Sequence, residues 1–508
     1  MPDNHASFKV FCRGGLNTSR DVLSQGEESP GSATQLINYE PAVTGGYRKI
    51  NGYSNDYGTV PGEGDVLGVA VVNGINDGIL ACRKSVADDA YLYYWDNDTD
   101  AWVEVTTSGS PTMVGVTKVR FERVNFTTPE VVLVDGVNPA ATYDGTTYTQ
   151  VTDSTAPSAP KYVSAFQNHL FLAEGNKLYF SAPLNTTDFS VANGAGVIQV
   201  GFDIVQIKAF RNELYIFGAN HIKKLTGTSQ ADFLVANVTD DLGCIASDSV
   251  IEIGGDLLFL SQDGLRPVSG TNKIGDVNLE TLSKDIQSIF TAVVFEGDLD
   301  SLSTVVVRQK SQFRIFFSVS DAQGVIGGFR QTPQGMGMEF GQLVGISATC
   351  ADSGYIGQFE YILHGDSLGK VHRQERGNSF DGQDIFSLYQ TPFFHMQDPE
   401  IRKTFDRVAT YLRSEGDNSI VFSVLYDYQD PDTLSPTNYN ILTEGAAAYY
   451  NEAIYDSSAT FDGNPSPVER TNISGSALSI ALKYVTNNTD ASHSIQGIVI
   501  TYGQGDRR

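Results

Sequence analysis

The chain has few of the residues that staple small folds together: 4 cysteines in 508 residues, with Cys12, Cys82, Cys244 and Cys350 far apart and at no paired spacing. A disulfide framework and a zinc ribbon are both excluded, and the four read as reduced core residues. Cations are scarce as well. Sixty acidic residues against 34 basic ones give a formal charge of −26, which excludes a protein that coats DNA. Long apolar runs are missing too: no stretch of about 18 apolar residues occurs. The opening Met1-Pro2-Asp3-Asn4-His5 has no basic region leading into an apolar one, so neither a membrane span nor a signal peptide is expected. Synthesis and folding in a cytoplasm follow. Triplets such as Asn125-Phe126-Thr127 are then chance products of a Thr-rich β protein rather than glycan acceptors.

Catalytic signatures are equally thin. Gly365-Asp366-Ser367-Leu368-Gly369-Lys370-Val371 is too short for a phosphate loop, ends in Val, and reads as a hairpin turn. Gly194-Ala195-Gly196 lacks the third glycine of a dinucleotide site. Neither a His-Glu-x-x-His helix nor a Gly-x-Ser-x-Gly elbow occurs. Asp96, Asp98 and Asp100 alternate as calcium ligands can, but Thr107 stands where a bidentate Glu is needed, so a hairpin tip between Trp95 and Trp102 fits better. Asp427, Asp430 and Asp432 read as turn residues for the same reason. His364 and His372 flank Asp366, a weak metal pattern that strand residues across a turn also produce. No catalytic residue, metal or cofactor is assigned, and an enzyme is not expected.

What the chain does have is a repeat. Phe166-Gln167-Asn168-His169-Leu170-Phe171-Leu172 is followed 44 positions on by Phe210-Arg211-Asn212-Glu213-Leu214-Tyr215-Ile216, and a further 43 on by Gly254-Gly255-Asp256-Leu257-Leu258-Phe259-Leu260. Each copy reads as strand, two-residue turn, strand. A period in the low forties with hairpin chemistry predicts propeller blades, four-stranded sheets that bury their faces only by stacking on neighbours. Second strands centre on Leu80, Val131, Leu170, Leu214, Leu257, Phe313 and Phe359, at offsets of 51, 39, 44, 43, 56 and 46 residues. Six or seven blades fit between residues 61 and 395. The longest interval carries a predicted helix from Asn278 to Phe290, with Leu279, Leu282, Ile286, Ile289 and Phe290 on one face, inside an insertion near 278–302 whose acidic end, Glu296 to Asp300, reads as loop.

The flanks differ. Residues 1–60 are rich in turn formers, such as Arg13-Gly14-Gly15-Leu16-Asn17, and read as an arm laid over the rest. Residues 396–508 alternate as strands over Arg407–Arg413, Ser419–Tyr428, Ala477–Val485 and Ile495–Tyr502, with a loop-rich stretch from Gln429 to Asn472. A small antiparallel β-sandwich-like domain is predicted there. The fold class is therefore all-β: an N-terminal arm, a β-propeller and a C-terminal sandwich.

Basic residues cluster at Lys223-Lys224, at Arg373 with Arg376, at Arg402-Lys403 with Arg407, and at Arg507-Arg508. Solvated strand faces explain most of them. Arg402, Lys403 and Arg407, beside the domain junction, are the candidates for meeting an acidic patch on a neighbouring subunit, giving register and on-rate more than affinity.

The blocks Gly14-Gly15-Leu16-Asn17, Leu36-Ile37-Asn38-Tyr39-Glu40-Pro41 and Gly45-Gly46-Tyr47-Arg48-Lys49-Ile50-Asn51-Gly52-Tyr53, with the repeats and the passage from Thr391-Pro392 to Lys403, resemble the tail nozzle or hub proteins of short-tailed bacteriophages, also called packaged-DNA stabilisation proteins. The resemblance implies a virion protein made in the host cytoplasm. It implies a homohexameric ring below the portal and its adaptor, a lumen that conducts genomic DNA without specific binding, and attachment of fibres or spikes. Under it, Gly45, Gly46, Arg48 and Lys49 join Arg402, Lys403 and Arg407 as candidate subunit or adaptor contacts. Low adhesion of an acid-rich wall is the mechanism it suggests, since each phosphate gripped by a cation adds salt-dependent affinity. The alternative is a carbohydrate-binding or carbohydrate-cleaving propeller of a tail fibre apparatus. No Ser-x-Asp-x-Gly-x-Thr-Trp box occurs, and with two Trp any sugar platform would come from the 24 Tyr and 28 Phe.

Overall fold

A computed structural model describes residues 5–43, 45–85, 89–105, 113–271, 281–319, 322–332, 335–430, 436, 438–443 and 467–504. The repeat is a propeller. Two of its hairpins close through two-residue turns with both residues at positive φ, Gln167 and Asn168 at 47° and 62° and Gly254 and Gly255 at 62° and 78°, the geometry that matches strand twist. Polar and glycine pairs at those positions are what recur in the sequence.

Six four-stranded blades and one three-stranded sheet stand side by side in a ring. The first blade runs from Glu63–Val71 to Ala101–Glu104, the second from Arg120–Asn125 to Tyr148–Gln150, the third from Tyr162–Phe166 to Gly196–Gln199 and the fourth from Ile204–Phe210 to Leu234–Thr239. The three-stranded sheet, in fifth place, comprises Ile251–Ile253, Asp256–Ser261 and Gly264–Pro267, and the sixth blade spans Ser303–Val307 to Gly335–Leu343. All seven residues expected to centre second strands lie on second strands. Apolar clusters fill the spaces between neighbours. Val132 and Val134 of the second blade meet Leu170 and Leu172 of the third, and Phe217 of the fourth meets Phe259 of the fifth with ring centroids 5.5 Å apart.

The seventh blade closes the ring with a strand from the other end of the chain. Cys350–Ile356, Phe359–Gly365 and Val371–Gln374 accept Tyr53–Ser54 as the outer strand, with Arg373 opposite Ser54 and Gln374 opposite Tyr53. The first and seventh blades then share a core that includes Val66, Val69, Val71, Leu363 and Val371. The arm and the last blade are thereby sewn into one sheet, which closes the ring.

The predicted helix is shifted. Asn278 and Leu279 lie outside the described residues, a 3-10 turn occupies Lys284–Ile286, and the α-helix runs Gln287–Glu296, so Glu296 ends the helix rather than opening a loop. The reason is that the fifth sheet has three strands among the described residues. Leu282 N–H donates to Leu265 O at 2.9 Å and Leu265 N–H to Ser283 Oγ at 3.0 Å, so this backbone serves as the sheet's outer edge before the helix starts. Phe290 and Val293 then pack into the core beside it. A second helix, Val22–Glu28, was not anticipated; Asp21 caps it by accepting from the N–H groups of Leu23 and Ser24.

The C-terminal body is a β-sandwich. One sheet orders Tyr39–Pro41, Tyr47–Lys49, His493–Gln504, Lys403–Ser414 and Val468–Asn472, with His5–Phe11 added to His493–Gln504. Lys403–Ser414 alternates buried and exposed positions, the mark of a half-buried strand. The other sheet continues out of the sixth blade: Gly335–Leu343, Gln35–Ile37, Ile385–Gln390, Ile480–Asn488, Asn418–Tyr426 and Tyr439–Thr443 are bonded in that order. The arm strand Gln35–Ile37 therefore splices propeller to sandwich, and Ile385–Gln390, expected in the propeller, is a sandwich strand. Tyr439–Thr443 and Val468–Asn472 are short strands within the stretch expected as loop.

Candidate functional site

The narrow axial channel is lined by the first strands of all seven sheets, from Gly68 and Arg120 through Val163, Ile207 and Ile251 to Val305 and Asp352, and encloses about 280 Å³. Lys118, Arg120 and Arg123 among its cations are matched within the chain. Arg120 donates from Nε and Nη2 to the two oxygens of Asp248, each at 2.8 Å, and Lys118 Nζ meets Asp248 Oδ2 at 2.8 Å. Burial would raise the Asp248 carboxyl, but Arg120 and Lys118 outweigh it and hold it near 2, about 2 being where it settles. Arg123 likewise pairs with Asp352, whose Oδ2 also accepts Val71 N–H at 2.9 Å from the first blade.

A larger cleft, about 880 Å³, opens where arm, sixth and seventh blades and sandwich meet. Its floor is an ion network. Glu40 Oε1, on the arm, accepts from Lys310 at 2.7 Å and Arg48 at 3.2 Å; Glu375 Oε2, on the seventh blade, accepts from Lys310 at 2.6 Å and from Asn51 at 2.9 Å. Arg314, fully buried, bonds Glu375 Oε1 and donates to Gln374 Oε1 at 2.6 Å. Burial opposes the Glu375 charge, yet Lys310 and Arg314 push its carboxyl far below the usual range. Four chain segments are thus pinned to one another by charges that water screens little.

The expected contact residues separate into two groups. Arg48 is clamped inside the chain, its Nε and Nη2 on the two Glu415 oxygens at 2.6 and 2.5 Å, and Glu415 overcomes the cost of burial to raise its pKa. Lys49 is buried with Nζ on Asn488 O, Asn488 Oδ1 and Asp490 O at 3.2, 3.1 and 3.2 Å, and burial lowers it to about 8. Gly46, at φ +87°, passes so close to the sandwich that a Cβ would sit 2.3 Å from Ile495 O, whereas a Cβ on Gly45, at φ +96°, would meet nothing. Lys403 is also buried, its Nζ on Asp398 O and on Leu478 O at 3.1 Å, which removes it from any surface patch. Arg402 and Arg407 are exposed, Arg402 donating to Ser476 O at 2.8 Å. Arg48 and Lys49 therefore hold arm to sandwich, and only the two arginines of the second trio present charge outward.

The remaining motifs take local roles. Asp96 accepts from Asp98 N–H and Thr99 Oγ at 2.9 Å each, tying a hairpin tip, and Asp427 caps Leu478 and Ser479 N–H at 2.8 and 2.9 Å. Asp432, Thr107, Arg507 and Arg508 lie outside the described residues. His364 and His372 face each other across neighbouring strands with rings 4.9 Å apart, and His372 Nε2 lies 3.0 Å from Asp366 Oδ2. No group of three metal-ligating side chains occurs among the described residues. All four cysteines are free and buried. No helix among the described residues is long and apolar enough to cross a membrane.

These features define an all-β protein in which an N-terminal arm locks a β-propeller to a β-sandwich. No protein-family model matches the chain, and no curated protein matches it. Two solved structures similar in part are extracellular domains from B. thetaiotaomicron, described as belonging to a one component and a hybrid two component system, at 12% and 11% identity and TM-score 0.42. Each match covers 66% of this chain but 41% of the other, so the chain spans less than half the length of those structures. The computationally designed Ika8 protein is similar over 62% of this chain and 98% of its own, at 10% identity and TM-score 0.33.

Proposed function

We propose that the chain is a subunit of a tail nozzle or hub of a short-tailed bacteriophage, a ring that closes the portal-adaptor channel, retains packaged DNA and conducts it on ejection. One observation supports this most: several of the scarce cations are drawn inward, although others, such as Arg211, Arg402 and Arg407, stand exposed. Lys49, Arg120, Lys310, Arg314 and Lys403 are held by intramolecular partners, while Asp65, Asp98, Asp203, Asp240 and Asp241 stand exposed. Each cation engaged inside is one fewer for a sliding polyanion to meet at the surface.

The propeller channel itself is not the conduit. At about 280 Å³ it holds the volume of roughly nine waters at ~30 Å³ each, whereas the major groove of a duplex is alone ~12 Å wide. The lumen lies between copies, in a heterologous ring whose closure needs two complementary faces per subunit. Arg402 and Arg407 are assigned to one such face, and fibres or spikes attach outside.

Light scattering and cryo-EM of the chain alone and with the portal-adaptor assembly test this reading. Sixfold rings promoted by the adaptor, together with no retardation of duplex DNA, are expected. A monomer that ignores the adaptor overturns the reading, as does a chain that retards duplex DNA at physiological salt.

A further inference from the structure

The junction cleft contains polar groups without partners among the described residues. Arg373 and Arg376 line it, and neither has a carboxylate within ion-pairing distance among the described residues, on a chain where acids outnumber bases 60 to 34. Arg373 lies over the Tyr361 ring, 3.8 Å from its centroid, and Arg376 is exposed. In the buried part of the same cleft, Glu40 Oε2 and Gln312 Oε1 are acceptors with no hydrogen-bond partner among the described residues, each on a residue 1% exposed. Arg314 stands 3.7 Å from that Glu40 oxygen, too far for a hydrogen bond. Phe359, 69% exposed, lines the cleft as well.

We propose that this cleft binds a carboxylated saccharide, its carboxylate on Arg373 and Arg376 and its hydroxyls donating to Glu40 and Gln312. The guanidinium fork matches a carboxylate in two parallel hydrogen bonds, and a pair of forks within one turn of chain neutralises a single anion. Hydroxyl groups are donors that the unpartnered acceptors lack, and an exposed aromatic face is where a sugar ring rests. The volume, about 880 Å³, falls within the ~300–1,000 Å³ of small-molecule pockets. Two competing ligand classes fit worse. A phosphate dianion would bring twice the charge of a carboxylate to a lining that holds Glu40, Glu360, Glu375 and Glu415, and a neutral sugar would leave both guanidinium groups without an anion. The site does not depend on ring assembly, because every residue in it comes from one chain.

Calorimetric titration of the full chain with galacturonic acid, N-acetylneuraminic acid, galactose and inorganic phosphate tests the proposal. The carboxylated sugars are expected to bind at least ~10-fold more tightly than galactose or phosphate. Arg376→Gln, an exposed position whose loss leaves the core intact, and Arg373→Gln are each expected to weaken binding of the carboxylated sugar ~10-fold or more, with galactose unchanged. Arg402→Gln, outside the cleft, should leave binding as it is. The proposal is overturned if neither carboxylated sugar binds at ~10 mM, if galactose or phosphate binds equally well, or if Arg376→Gln changes nothing.

Discussion

Tyr53, near the start of the chain, is the register partner of Gln374, the last residue of the seventh blade's third strand. Its ring stacks on Phe380 at 5.0 Å and meets His364 and His372 edge-on at 4.9 and 4.8 Å. One aromatic side chain thus joins the arm to the blade that closes the ring.

Removing that ring should loosen closure. Tyr53→Ala is expected to cost about 2–3 kcal/mol, less than the ~3–5 typical of a fully buried aromatic because Tyr53 is half-buried. Urea unfolding followed by tryptophan fluorescence reads this directly, since Trp95 and Trp102 sit in the adjoining first blade. An unchanged midpoint would remove the arm strand from the closure mechanism.

Arg314→Met should be worse. It leaves Glu375 and Glu40 buried with one fewer counter-charge, and breaking a buried pair from one side costs about 3–5 kcal/mol. Arg314→Met with Glu375→Gln should recover part of the loss, because the uncompensated charge is then gone. A double variant no more stable than Arg314→Met alone contradicts the assignment of the cost to charge.

Acid should destabilise the protein before its carboxylates titrate. Burial, with His372 beside it, lowers His364 to about 3, and burial, with Lys49 and Arg48 nearby, lowers His493 to about 3. Unfolded histidine takes up its proton near 6.5, so between about 6.5 and 3 the unfolded state binds protons that the folded state refuses. Stability therefore falls as pH drops, by about 1.4 kcal/mol per pH unit for each histidine. Urea midpoints at several pH values between about 7 and 5 check this, and His493→Gln should flatten the slope. A stability that is level across that window refutes the prediction.

Gly46→Ala should detach the arm locally. The added Cβ would meet Ile495 O at 2.3 Å, at a φ of +87° that L-residues resist, and about 2–3 kcal/mol is the expected cost. Faster proteolysis of the arm, with Gly45→Ala as the milder comparison, is the readout. Equal cleavage rates for the two variants would show that the close approach does not matter.

How much of this was legible depended on how local each feature is. Period-two alternation and paired turn residues located all seven second strands, because a hairpin is decided within about a dozen residues. Tyr53–Ser54 and Gln35–Ile37 are too short to show any period, yet one closes the propeller and the other joins it to the sandwich. The predicted helix began too early because its apolar spacing continues through Leu282, a residue whose backbone completes a neighbouring sheet. Lys49 and Lys403 read as surface cations, since nothing in adjacent sequence announces the carbonyls of Asn488, Asp490 and Leu478 that enclose them.

Composition and spacing by themselves determined an acidic all-β chain built of hairpin repeats, because hydrophobic alternation and turn chemistry act between neighbours in sequence. Tertiary structure alone decided that Glu40, Lys310 and Glu375 share one network, that Arg48 and Lys49 face inward, and that Arg373 and Arg376 open on a cleft. Those ion pairs join residues from 65 to 367 positions apart, and burial makes their charges interact strongly only after the ring has closed around them.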